Sequence, residues 1–194
     1  DAYGGSLENR ARLLFEVLTA VTQAIGSERV GLRLSPLNSF NSMKDSDPLA
    51  LIGFLADKLN AFKLAYLHVM RADFFGVQKA DVMPVAREKY KGVLVGNMGY
   101  SADEAEAAIA EGKLDAVAFG TAFLANPDLP ARIRAKAPLN APDSNTFYAG
   151  GAKGYTEYPT LQVAYITAPE DRRNEQRYPQ GSPFRSCEAV NRWR

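Results

Sequence analysis

Three groups of residues in this sequence have types and spacings suited to chemistry. The first is Arg33, set in the run Val30-Gly31-Leu32-Arg33-Leu34-Ser35. At a period of two, Val30, Leu32 and Leu34 share one face, and Gly31, Arg33 and Ser35 share the other. A guanidinium on a strand face is costly to bury alone, so Arg33 serves either an internal ion pair with a carboxylate or an anionic ligand. The second group is a pair of glycine turns, Gly96-Asn97-Met98-Gly99-Tyr100 and Phe119-Gly120-Thr121. Exposed backbone N–H groups at such turns hold phosphate without a basic side chain, although any tight strand-to-helix turn also favours glycine. The third group runs from Phe147 to Pro159, where three glycines and four aromatics form a loop. Its rings could lie against a flat ligand, or simply pack beneath the rim of the fold.

The elements that must position these groups alternate. Leu13, Leu14, Val17, Leu18, Val21 and Ile25 recur at three- and four-residue spacing, predicting a helix from Ser6 to Gly26. Val30–Ser35 reads as a strand ended by Pro36. Asp47-Pro48 opens a second helix with the apolar face Leu51, Phe54, Leu55, Leu59 and Phe62. Then come a strand at Ala65–Val69, a short helix ending near Tyr90 and a strand at Gly92–Gly96. Ser101-Ala102-Asp103-Glu104 is a capping box for a helix through Ala110. Leu114–Phe119 is a fourth strand, and Asn126-Pro127 caps a last helix ending near Ala135. Strands starting near 30, 65, 92 and 115 between helices mean βα units in a parallel sheet. The choice lies between an open doubly wound sheet and part of a (β/α)8 barrel. No G-x-G-x-x-G follows the first strand and no P-loop motif occurs, so a nucleotide-binding open sheet has little support. In a barrel, the C-terminal strand ends carry the site, and the turns after the last two strands commonly bind phosphate.

Composition narrows the function classes. The chain has 194 residues, with Lys+Arg 23 against Asp+Glu 22, one His and one Cys. A net charge of +1 gives no footprint for nucleic acid or an anionic membrane. A lone Cys and a lone His exclude a zinc set, and His68, inside an apolar run, makes no hydrolase triad. The longest apolar stretch, Ala116 to Ala125, falls far short of the roughly 18 residues of a membrane span. The opening Asp1-Ala2-Tyr3-Gly4-Gly5 has no basic region of a signal peptide, so a cytoplasmic location is expected. After Gln162 the pattern changes: the last 33 residues hold six Arg and no Lys, and no period persists. They are expected to form an irregular or disordered tail.

Several motifs stand in register with one known family. Asp1–Arg10, the Val30–Pro36 strand, Asp45–Ala50, Val117–Pro130 with its Asn126-Pro127-Asp128-Leu129, and Phe147–Leu161 resemble the C-terminal half of an old yellow enzyme. That family comprises FMN-dependent NAD(P)H ene-reductases. The resemblance runs nearly continuously from Asp1 to Leu161. It implies that residues 1–161 are strands five to eight of a (β/α)8 TIM barrel with their helices, and that 162–194 lie outside it. FMN, held non-covalently, is the implied cofactor, NAD(P)H the reductant, and a small activated alkene the substrate.

Roles for matched positions follow from the resemblance. Arg33 resembles the arginine facing the flavin pyrimidine edge, where a fixed cation stabilises the charge of reduction. Asn97, Met98 and Gly99 match the backbone phosphate cradle after the seventh strand. Phe119, Gly120 and Thr121 match its counterpart after the eighth. Phe147 resembles the aromatic residue beside the flavin, while Tyr148 and Asn41 occupy positions that in relatives can face substrate. Many relatives carry Arg where this chain has Thr121, so a full charge is lost and weaker FMN binding is expected. No catalytic residue is assigned here, because the proton donor and the pair gripping the substrate carbonyl belong to the family's first four βα units. A complementary half-barrel chain or a homodimer is the expected partner. The alternative is a non-catalytic half-barrel that binds a phosphorylated ligand or a protein.

Overall fold

Four short strands and six α-helices alternate along residues 1–161, the part of the chain described by the computed structural model. The tail expected at 162–194 lies outside the described residues. In order the elements are α1 (Leu7–Ile25), β1 (Gly31–Leu34), α2 (Pro48–Leu59), β2 (Tyr66–Met70) and α3 (Met83–Lys89). They continue with β3 (Leu94–Asn97), α4 (Ala102–Ala110), β4 (Ala116–Ala118), α5 (Thr121–Ala125) and α6 (Leu129–Ala135). The strands form one parallel sheet in the order β1-β2-β3-β4. All four therefore point the same way, and the loops that follow them gather at one edge.

Local chemistry sets the helix starts. The Ser6 hydroxyl accepts from the Asn9 N–H at 3.3 Å, and the Asp47 carboxylate accepts from the Ala50 N–H at 3.0 Å with Pro48 in the first turn. Ser101 likewise accepts from the Glu104 N–H at 3.1 Å. The expected capping box is only half made, because the Glu104 carboxylate turns instead to Arg71 on the neighbouring unit. A strong cation outcompetes a backbone N–H for a carboxylate.

One sheet face meets the helices. Leu67, Val69 and Leu94 are fully buried there, against Ile52, Ala56, Leu59 and Ala86, with Leu32 and Leu34 packed alongside. The apolar run predicted on α1 splits into two stripes. Ala11 and Leu18 are buried, with Leu14 and Phe15 packed beside them, but Leu13, Val17, Val21 and Ile25 stay exposed. An apolar arc wider than one contact face explains the split, since the sheet covers only one side of the helix.

The Asn126-Pro127 expectation needs correcting. Two helices stand where one was expected: α5 ends at Ala125, and α6 begins at Leu129 after Asp128, with no side-chain cap. Asn126 is a fully buried tie between segments. Its amide donates to Ala122 O at 2.8 Å, and its oxygen accepts from the Asn140 N–H at 2.7 Å. Arg132, also buried, binds Asp128 Oδ1, Pro138 O and Pro159 O, each at 2.7 Å. Together they fasten the chain after α6 to the two helices.

Candidate functional site

The sheet face turned away from the helices carries the polar groups. The strand register sets Arg33 beside His68, His68 beside Val95, and Val95 beside Ala116. One row nearer the C-terminal edge come Met70, Asn97 and Ala118. Arg33 is exposed on this face, and its one polar contact among the described residues is Nη2 with the Met70 sulfur at 3.6 Å. A thioether is a weak acceptor. Among the described residues no carboxylate pairs with Arg33, so the internal ion pair is not made within residues 1–161.

Two neighbours are short of partners as well. Among the described residues, His68 Nε2 and Asn97 Oδ1 are both buried without a hydrogen bond of good geometry, although the Asn97 side chain comes close enough to act on the ring. His68 is packed within its strand, part-buried on this face. Burial first, then the Arg33 charge, lowers the His68 pKa from its usual 6.5, while Asn97 acts in the opposite sense. The neutral ring is favoured here.

The two glycine turns lie at the same edge, after β3 and β4. Met98 and Gly99 both take positive φ, +87° and +72°, which is uncommon for a residue with a Cβ such as Met98. Arg71, just past β2, holds this turn. Its Nε donates to Met98 O at 2.7 Å and its Nη2 to Gly99 O at 2.9 Å. The guanidinium also grips both Glu104 oxygens and lies 3.6 Å from the Tyr100 ring centroid. After β4, Gly120 precedes α5 with no side-chain cap, so the first amides of that helix, from Thr121 onward, have no intrahelical partner and no cap among the described residues. An added Cβ at Gly120 would meet nothing within 4 Å, leaving open space above the turn. Phe119 is half-buried beneath it.

The remaining expected residues sit on loops. Asn41 is exposed after β1, in a left-handed conformation with φ +54°. Its neighbour Phe40 stacks on Phe75 at 6.2 Å, and Phe74 meets Phe75 edge-on at 5.3 Å. Asp73 ties these loops together by accepting from the Ser39, Phe75, Val77 and Gln78 amides. Burial raises its pKa, but hydrogen bonds from Ser39, Gln78 and Phe75 outweigh that and hold the carboxyl far below its ordinary range. Phe147 is half-buried, with its carbonyl accepting from the Tyr155 hydroxyl at 2.7 Å. Tyr148, 98% exposed, touches little. Arg71 and Asp73 had no place in the sequence reading. Their roles come from bonds to distant backbone, and no local motif marks such a bond.

Comparison with known proteins decides the family. Residues 1–140 match the model of the NADH:flavin oxidoreductase / NADH oxidase family. The chain belongs to that family. It is 57% identical over 162 residues to a probable flavin mononucleotide-dependent alkene reductase of Leishmania infantum, covering 83% of this chain and 44% of the relative. Identity to 12-oxophytodienoate reductase 2 of Arabidopsis thaliana is 39% over 168 residues, covering 84% and 45%. Among solved structures, the old yellow enzyme from Trypanosoma cruzi superposes with a TM-score of 0.78 at 46% identity, covering 80% of this chain and 41% of that one. Morphinone reductase superposes with a TM-score of 0.76 at 44% identity, covering 83% and 44%. The chain thus spans less than half the length of these relatives. Its four-stranded sheet is a partial (β/α)8 barrel of the old yellow enzyme family, with no closed barrel among the described residues. Among those residues no helix is long and apolar enough to cross a membrane.

Proposed function

We propose that residues 1–161 form the phosphate- and charge-binding half of an FMN-dependent NAD(P)H ene-reductase acting on activated alkenes. One observation carries this reading. Among the described residues, a guanidinium with no carboxylate partner shares a sheet face with His68 Nε2 and Asn97 Oδ1, two buried polar atoms on side chains that approach each other but form no hydrogen bond of good geometry. Folded proteins leave few such atoms unsatisfied, and the edge of a flavin offers both donors and acceptors. These residues fit FMN. When bound, FMN supplies the two-electron carrier between NAD(P)H and the C=C bond.

The chain's own residues then have distinct work. Arg33 sets a fixed positive charge where anionic charge collects on reduction, and Asn97 presents its amide to the same ligand. The Met98-Gly99 turn after β3, through the amides that follow its two carbonyls, and the backbone donors of Gly120 and Thr121 behind Phe119 hold phosphate. Thr121 adds a hydroxyl in place of a charge, so the amides carry most of that affinity. Phe147 flanks the ligand, and Asn41 and Tyr148 face the alkene. The proton donor and carbonyl clamp come from a complementary half-barrel. Support for that partner is the exposed apolar surface of α1 together with Tyr66 and Val93 on the open sheet face, 43% and 47% exposed.

The visible spectrum of the purified chain tests this reading. The expected result is uptake of FMN with oxidised-flavin bands, and a larger loss of affinity for reduced than for oxidised FMN once Arg33→Ala is made. A chain that takes up no FMN, alone or mixed with a complementary half, overturns it and leaves a non-catalytic half-barrel.

A further inference from the structure

The turn after β3 has an unusual build. Two consecutive residues, Met98 and Gly99, take left-handed backbone, and only one of them is glycine. Such a conformation at Met98 is strained and persists only when its surroundings hold it. Arg71 is what holds it. The guanidinium takes the carbonyls of Met98 and Gly99 at 2.7 and 2.9 Å. In a trans peptide the C=O and the following N–H point in opposite directions. The Gly99 and Tyr100 amides are therefore turned away from Arg71, and neither finds a backbone acceptor among the described residues.

Arg71 itself has little left to offer a ligand. Its three nitrogens are engaged by the two carbonyls and by both oxygens of Glu104, and its face is covered by Tyr100. Glu104 is in turn fixed at the start of α4, where its N–H bonds the Ser101 hydroxyl at 3.1 Å. The charge of Arg71 is thus neutralised on the spot, and what it exports is geometry.

We infer that Arg71 is a positioning residue that aims the Gly99 and Tyr100 amides as an anion-binding pair for the cofactor phosphate. This deepens the FMN reading above and rests on it. Lysine cannot replace it, because a single ammonium lacks the fork that spans two carbonyls and a carboxylate. Glu104 is the second member of the device and keeps the guanidinium in plane.

The test compares two ligands that differ only in phosphate, titrated against the full chain. For Arg71→Ala and Arg71→Lys, FMN affinity should fall on the order of tenfold while riboflavin affinity stays unchanged. Glu104→Gln, which leaves the guanidinium in place, should produce a smaller loss with the same selectivity. Equal losses for both ligands, or wild-type FMN binding by Arg71→Lys, overturn the inference. Backbone NMR with inorganic phosphate reads the turn independently of flavin. Phosphate should shift the Gly99 and Tyr100 amides in the wild-type chain and leave them still in the Arg71 variants. Wild-type amides that ignore phosphate defeat the inference. A phosphate response without any FMN uptake defeats only the flavin assignment.

Discussion

Replacing Asn126 by alanine should loosen the chain beyond α6, and the size of the effect can be worked from its contacts. Two good hydrogen bonds disappear, the 2.8 Å bond to Ala122 O and the 2.7 Å bond from the Asn140 N–H. The third, to Asn140 O at 3.4 Å, is too long to add much. Two neutral bonds contribute about 2 kcal/mol net. The Asn140 amide, in a half-buried residue, then loses its acceptor, which costs about 1 kcal/mol more at the low end of the usual range. A loss of about 3 kcal/mol lowers a urea midpoint by roughly 1.5 M at an m-value of about 2 kcal/mol/M. Urea unfolding of the full chain measures the total, and amide hydrogen exchange locates it, with the fastest gain expected across residues 136–160. A midpoint shift under about 0.3 M, or exchange unchanged after α6, would refute the role given to Asn126.

Three further outcomes follow from the same contacts. Gly154→Ala should destabilise the aromatic loop by about 3 kcal/mol, since its Cβ would sit 1.9 Å from Thr146 Oγ1 at φ +78°; unchanged proteolysis of residues 147–153 would contradict this. Asp73 has a folded pKa depressed below the ordinary 3.8, so its stabilisation is present above that value and fades as pH falls through the folded pKa. Acid titration of stability should accordingly be flatter below pH 3.8 in Asp73→Asn than in the wild-type chain. His68 is the single histidine, so its NMR titration is unambiguous. It should titrate below 6.5 and move upward in Arg33→Ala, because a facing positive charge has gone. The depressed pKa also means that His68 favours the fold above 6.5 and opposes it increasingly at lower pH. A titration that ignores the Arg33 change would show that the two side chains do not share a face.

Much of the site's scaffold was legible in the sequence. The glycine turns stood where strands give way to helices, and both sit at one edge because parallel βα units leave no other arrangement. The Ser6, Asp47 and Ser101 starts were legible for a similar reason, since each cap bond spans three residues. Asn126 was not legible in this way: Asn-Pro before an apolar run has the look of a helix start, while its actual partner, Asn140, lies 14 residues on.

What the amino-acid order determined by itself was local: which stretches coil or extend, where each begins, and which side chains share a strand face. Those depend on neighbours within one or two turns of backbone. Tertiary structure alone decided what each polar group meets. Arg33 could have paired with a carboxylate, and found instead a sulfur 37 residues away. Arg71 reaches a turn 27 residues downstream. Such meetings depend on sheet register and on the path of the crossover between strands. Both emerge only when the whole sheet packs against its helices.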